Sequence, residues 1–317
     1  MPPRPRLSPY LLLTLTALFW AGNWVIGRAI RHDVPPIALA FWRWVVALLL
    51  ILPLAAPHLR AQWPLIRRHW RWLAVFGVLG TGFYNALAYL GLQFTTATNG
   101  LLLNSFIPIM IATFSWLFLG KPLRRSEWAG IGASFLGVLV IVARGDPRVL
   151  LDLHLNVGDL WVLASAVAWA AYTLLLPHRP AALHPYAFLA AIAVVGLIAM
   201  LPIYAWEIHS GRWILPSLKA YLAIAYTGIF PAFLGYLLWN RGVVEVGPSR
   251  AGLFMHLMPA FGMLLSVIFL DERPMLYHLA GISMIFSGIF LVTRKHLDPT
   301  RGLRPATRHE TGTRGSV

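Results

Sequence analysis

Thr16, Trp20 and Asn23 stand at i, i+4 and i+7, so a helix carries an aromatic ring and two hydrogen-bonding groups on one face. Adding 149 to each number lands on Ser165, Trp169 and Tyr172, the same pattern a second time. An unpaired polar group is costly in apolar surroundings, so both stripes are expected to face a helix-bundle interior. Helix-to-helix hydrogen bonding and the lining of a small-molecule cavity both fit. For the two tryptophans a third reading is anchoring at the headgroup level.

The theme recurs at a shift of 151. Asn85 corresponds to Tyr236 and Ala88 to Trp239, with Tyr84, Tyr89 and Asn240 nearby. Gly77, Gly80 and Gly82 in one copy, and Gly228, Pro231 and Gly235 in the other, loosen two helices at matching depths, with Gly80 and Pro231 as candidate kinks. Close packing explains the glycines equally well. Pro108 and Pro259 are also equivalent, and within a helix each frees the carbonyl four residues earlier, that of Asn104 or Met255. Beside these lie Ser105 and its counterpart His256, a candidate site for the charged ends of a zwitterion; the alternative is a kink that only shapes the bundle. His256 is either a proton carrier or a neutral hydrogen-bonding residue. Arg43, between Trp42 and Trp44, either snorkels to the interface or binds substrate.

The elements that must position these residues are membrane spans. A chain of 317 residues that is 58% hydrophobic and 12% charged exposes too much apolar surface for one soluble core. Its mean hydropathy is +0.68. Ten apolar runs, near 9–30, 36–56, 71–92, 96–119, 127–143, 157–176, 185–206, 218–240, 249–270 and 276–293, have the length of transmembrane helices. The first has its own repeat partner, so it reads as a retained span and not as a signal peptide. The fold class expected is all-α: ten transmembrane helices in two inverted five-helix repeats around a central cavity. The boundaries read as a cytoplasmic segment 1–8, repeats 9–144 and 157–295, a linker 145–156, and a disordered basic tail 296–317.

Lys and Arg counted loop by loop divide 18 to 7 in favour of the side holding both termini, which places the termini in the cytoplasm; the membrane expected is a bacterial inner membrane. The net charge of +15 follows that boundary, so anionic lipid is the expected partner and nucleic acid is not. All eleven carboxylates fall in loops, tails or span ends, which disfavours carboxylate-based proton exchange and a pocket for bulky cations. No phosphate-cradling loop is present, so ATP is not the energy source, and no cofactor or metal is implied. Without cysteine there is no thiol chemistry. Small residues four apart, Gly130 with Ser134, Ala133 with Gly137 and Ser283 with Ser287, suit tight packing within the bundle or between protomers of a homo-oligomer.

The segments Asn240-Arg241-Gly242, Gly247 to Ala251, Pro259, Leu270 to Pro274 and Ala280-Gly281-Ile282 together resemble the EamA-type branch of the drug/metabolite transporter superfamily. Phe19 to Asn23 and Phe41 to Trp44 are similar to that family's first-repeat pattern, and the likeness covers roughly residues 10–295. It implies a secondary transporter exporting small metabolites, amino acids including aromatic ones first, by alternating access. The alternatives are a multi-pass enzyme acting on a lipid-linked substrate, for which no catalytic constellation appears, and a channel-like facilitator.

Overall fold

The computed structural model describes residues 7–95, 97–120, 122–151, 154, 156–270 and 275–293. The expected tail 296–317, the stretch 271–274 and five of the carboxylates (Asp152, Asp271, Glu272, Asp298, Glu310) lie outside the described residues. Every regular element among those described is helical. We number the main helices α1 (Pro9–Ala29), α2 (Pro36–Ala61), α3 (Trp70–Phe94), α4 (Ile107–Leu119), α5 (Arg125–Val142), α6 (Val157–Leu175), α7 (Pro185–His209), α8 (Leu218–Val246), α9 (Leu257–Leu270) and α10 (Leu276–Thr293). Among the described residues nine helices are long and apolar enough to cross a membrane. The run before α10 is not among them: there the short helix Pro248–Leu253 and the 3-10 turn Phe254–His256 precede α9.

The helix starts are written locally. Pro36 and Pro185 open α2 and α7, where the missing N–H costs nothing, and Asn156 and Ser217 accept backbone N–H bonds at the starts of α6 and α8. Ala40, Trp44, Ala47, Ile51 and Ala55 are fully buried, forming the inner stripe of α2. Outward, Leu49, Phe118, Ile198 and Leu276 are each more than 60% exposed, an arrangement that is stable only with lipid as solvent. One joint is corrected: the break expected from Pro57 onward begins instead after Ala61. The Pro53 and Pro57 rings sit on the exposed face of α2, where each removes one ladder bond and disturbs no neighbour.

The packing is symmetric under exchange of the repeats. Helix α1 packs on α8 and α9 as α6 packs on α3 and α4, and α2 meets α8 as α7 meets α3. In the pairs α2–α7 and α5–α10 each helix packs on its own repeat equivalent. At the α5–α10 crossing Gly130 faces Gly288 and Gly137 faces Gly281; a Cβ on Gly137 would lie 2.5 Å from the Gly281 oxygen, and one on Gly281 2.6 Å from the Gly137 oxygen. Residues related by 151 thus meet crosswise on antiparallel helices, so a pseudo-twofold axis runs perpendicular to them. With both helices spanning the bilayer, that axis lies in the membrane plane and the repeats are inverted. Gly130, Ser134, Gly137, Gly281 and Gly288 therefore pack within the bundle, whereas Ser283 and Ser287 are exposed.

Candidate functional site

Helices α3 and α8 widen at their centres. Gly77–Phe83 and Gly228–Leu234 are both π-helical, and the two segments correspond residue for residue at a shift of 151. Pro231 cannot donate to the ladder, and Gly77 and Gly228 sit so close to α7 and α2 that a side chain would collide with Val195 and Val46. The altered ladder puts carbonyls to use. Tyr236 donates to the Gly80 oxygen (2.5 Å), and Trp20 Nε1 donates to the equivalent oxygen of Pro231 (3.1 Å). Such π segments recur at functional sites.

Aromatic rings fill the space on the axis. Trp20 meets its counterpart Trp169 edge-on at 5.0 Å between centroids and touches Trp239 at the same distance. Tyr84 lies 4.6 Å from Trp169, and Trp44 lies 4.8 Å from Tyr236. Asn85 and Tyr236, another equivalent pair, are joined by a 3.4 Å hydrogen bond. In the first repeat Tyr89 donates to Asn23 (2.8 Å), and in the second Tyr172 donates to Asn240 (2.7 Å). The two bonds occupy equivalent positions with tyrosine and asparagine exchanged.

Arg43 enters this cluster from α2. It is 1% exposed, so the snorkelling reading is set aside, and its Nη1 donates to Asn85 Oδ1 (2.8 Å), Tyr89 Oη (3.0 Å) and Asn23 Oδ1 (3.2 Å). Around it Trp20, Asn23, Trp24, Tyr84, Asn85, Ala88, Tyr89 and Tyr236 enclose a cavity of about 10 Å³, room for about one water. The site is closed in this conformation.

The other expected residues surround this centre without lining it. Thr16 donates to Leu12 in its own helix and reaches the Gly235 oxygen of α8 at 3.4 Å, and Ser165 donates back to Val162, which is the packing role. Trp169, Tyr172 and Trp239 form the second layer of rings. Asn104 accepts from Tyr84 at 3.4 Å. The expectation that Pro108 and Pro259 break helices is corrected: they lie in the first turns of α4 and α9, where a proline loses no ladder bond. The interruption is the turn at Ser105–Phe106 and the 3-10 turn before α9. Consequently the carbonyl engaged is that of Ser105, not Asn104 or Met255: His256 Nε2 lies 3.0 Å from it, and Nδ1 lies 2.8 Å from Ser134 Oγ. A carbonyl only accepts, so Nε2 carries the proton and a neutral ring accepts from Ser134.

Sequence reasoning missed Trp24, Trp44 and Glu207. Trp44 was legible as the member of the Ala40–Ala55 stripe nearest Arg43. Glu207, buried in the last turn of α7, accepts from the N–H groups of Ile37 (3.1 Å) and Ala38 (2.7 Å) and ties α7 to the start of α2. The opposite end of that pair is held by Gln62, which bonds Ala182 and His184, and by His58 stacked on His184 at 3.5 Å.

A model of the EamA-like transporter family matches residues 7–143 and again 156–294. The chain belongs to the EamA-like transporter family. Among its relatives is the uncharacterized transporter YyaM of Bacillus subtilis, 26% identical over 296 residues, 90% of this chain and 93% of the relative. An uncharacterized transporter of Archaeoglobus fulgidus is 28% identical over 91% of this chain and all of its own length. A probable terminal-alkyne amino-acid exporter of Streptantibioticus cattleyicolor is 25% identical over 91% of this chain and 94% of its own. A solved crystal structure superimposes with a TM-score of 0.74 at 20% identity, covering 92% of this chain and 99% of that one, a likeness of fold. This EamA-like chain is thus a multi-pass membrane transporter and not an enzyme.

Proposed function

We propose that the protein exports small zwitterionic metabolites, amino acids first, by alternating access through the closed cavity between its repeats. One observation carries the reading: repeat-equivalent residues, Trp20 with Trp169 and Asn85 with Tyr236, meet on the pseudo-twofold axis beside the π segments. Exchanging the conformations of two such repeats opens the same site to the other side. The name of the Streptantibioticus relative, a probable amino-acid exporter, supports the cargo. We place the protein in a bacterial inner membrane, and the 18 to 7 division of basic residues supports both termini being cytoplasmic.

His256 is satisfied on both nitrogens, so the substrate's own gradient is the driving force in this reading. Counterflow in proteoliposomes tests it. Vesicles preloaded with an unlabelled amino acid from a panel of twenty should take up the labelled form faster than empty vesicles, for at least one member. An imposed pH gradient should not drive accumulation, and His256→Gln should leave the response to pH unchanged. Absence of trans-stimulation across the panel rejects amino-acid exchange, and uphill accumulation abolished by His256→Gln rejects the energetics.

A further inference from the structure

Four buried side-chain donors of the central cluster lack a hydrogen-bond partner: Arg43 Nε and the indole Nε1 groups of Trp44, Trp169 and Trp239. Arg43 is the exceptional one. The ion pairs found among the described residues include Arg148–Asp146, Lys219–Asp33, Arg241–Glu245 and Arg250–Glu127, and none of these involves Arg43. Burying a cation without a counter-ion is costly, and three neutral acceptors recover only part of that cost. All three of its hydrogen bonds leave from Nη1, although a guanidinium carries five N–H donors in a fork that matches a carboxylate.

The second repeat supplies an internal control. The equivalent of Arg43 at the shift of 149 is Ile192, and there the twin bond from Tyr172 to Asn240 forms at 2.7 Å with no guanidinium donating to it, Arg179 acting on Tyr172 only through space. The contact therefore does not require a guanidinium bonded to it, and Arg43, which lines the cavity where Arg179 does not, gives the cavity a positive pole.

From this geometry we infer that the cavity binds a monocarboxylate, its carboxylate on the free edge of Arg43 and its apolar body against Trp20, Tyr84 and Tyr236. The inference rests on the transport reading above and names the group recognised. A carboxylate accepts without donating, which complements Arg43 Nε, the orphan donor among the residues that line the cavity. No second Lys or Arg lines the cavity, so one negative charge is the match. In this conformation the ring cluster closes over the guanidinium, and the cargo's entry separates the rings.

The test is binding of radiolabelled 3-phenylpropionate to the detergent-purified full chain, competed by its uncharged amide. Wild type should prefer the acid more than tenfold. Arg43→Gln should abolish that preference, and Arg43→Lys, which keeps the charge and loses the fork, should bind the acid at least threefold more weakly while still preferring it. Equal binding of acid and amide by wild type, or an undiminished preference in Arg43→Gln, overturns the assignment. Should Arg43→Gln not fold, Arg43→Lys decides: unchanged acid affinity overturns it. Amino-acid counterflow run on the same preparations separates the two claims. If counterflow fails while acid binding remains dependent on Arg43, the cargo proposed above is wrong and the anion site stands; if counterflow persists unaltered in Arg43→Gln, the anion site is wrong and transport stands.

Discussion

At the scale of single residues, the centre of the molecule is held by hydrogen bonds to backbone that ordinary helices would not offer. Trp20 illustrates it, because its indole donates to a carbonyl of a π segment, that of Pro231. Trp20→Phe keeps a ring in the cluster but orphans that oxygen, at a cost of about 1–3 kcal/mol. Transport in proteoliposomes should fall at least threefold with the protein still folded, whereas unchanged transport returns Trp20 to packing. Trp20→Ala is the poorer probe, since truncating a buried tryptophan removes about 3–5 kcal/mol of packing. The repeating stripes made Trp20, Asn23, Asn85 and Tyr236 legible from sequence, because an aromatic beside an amide in lipid-length helices has few places to go. Arg43 was not legible, since a cation seven residues into a span reads equally as an anchor. Only the positions of Asn23, Asn85 and Tyr89, on two other helices, decide it.

At the scale of elements, crossings and latches set what can move. The α5–α10 crossing depends on backbone contact at its glycines. Gly137→Val should abolish accumulation of folded protein, measured by fluorescence-detected gel filtration, while Gly132→Ala, with open space around it, should be neutral. Equal behaviour of the two would remove the crossing from the account. At one end of α2–α7, His184 accepts the N–H of Tyr186 and stacks on His58. Desolvation first, and the neighbouring His58 second, push the His184 imidazole below its ordinary value of 6.5. The folded protein then binds fewer protons than the unfolded chain, so the latch's stabilisation is complete above about pH 6.5 and declines as the pH falls through the lowered value. The melting temperature should drop between pH 7 and 5, and drop less in His184→Gln; parallel curves would exclude the latch as the titrating element. The π segments were not legible: Gly80 and Pro231 marked weak points, but a shifted ladder depends on what accepts and donates across the bundle.

At the scale of the whole molecule, duplication explains both the architecture and its asymmetries. A shift of 149 or 151 predicts which helices pair and which residues meet on the axis, so nearly the whole fold could be read from the chain. The orientation proposed from basic residues has its own check. Single cysteines at Arg67 and Arg124 should be shielded from an impermeant thiol reagent in intact cells, and one at Arg148 should react; labelling of the first two reverses the orientation. The central claim is that one cavity between the repeats faces the two sides in turn. Ala88 lines that cavity, is 4% exposed, and belongs to a chain without cysteine, so Ala88→Cys is a small and unambiguous reporter. Its labelling by an impermeant methanethiosulfonate, compared in right-side-out and inverted vesicles, is the most direct measurement: the account predicts reaction from both sides, slowed by a transported amino acid, and reaction from one side only, or from neither, contradicts it.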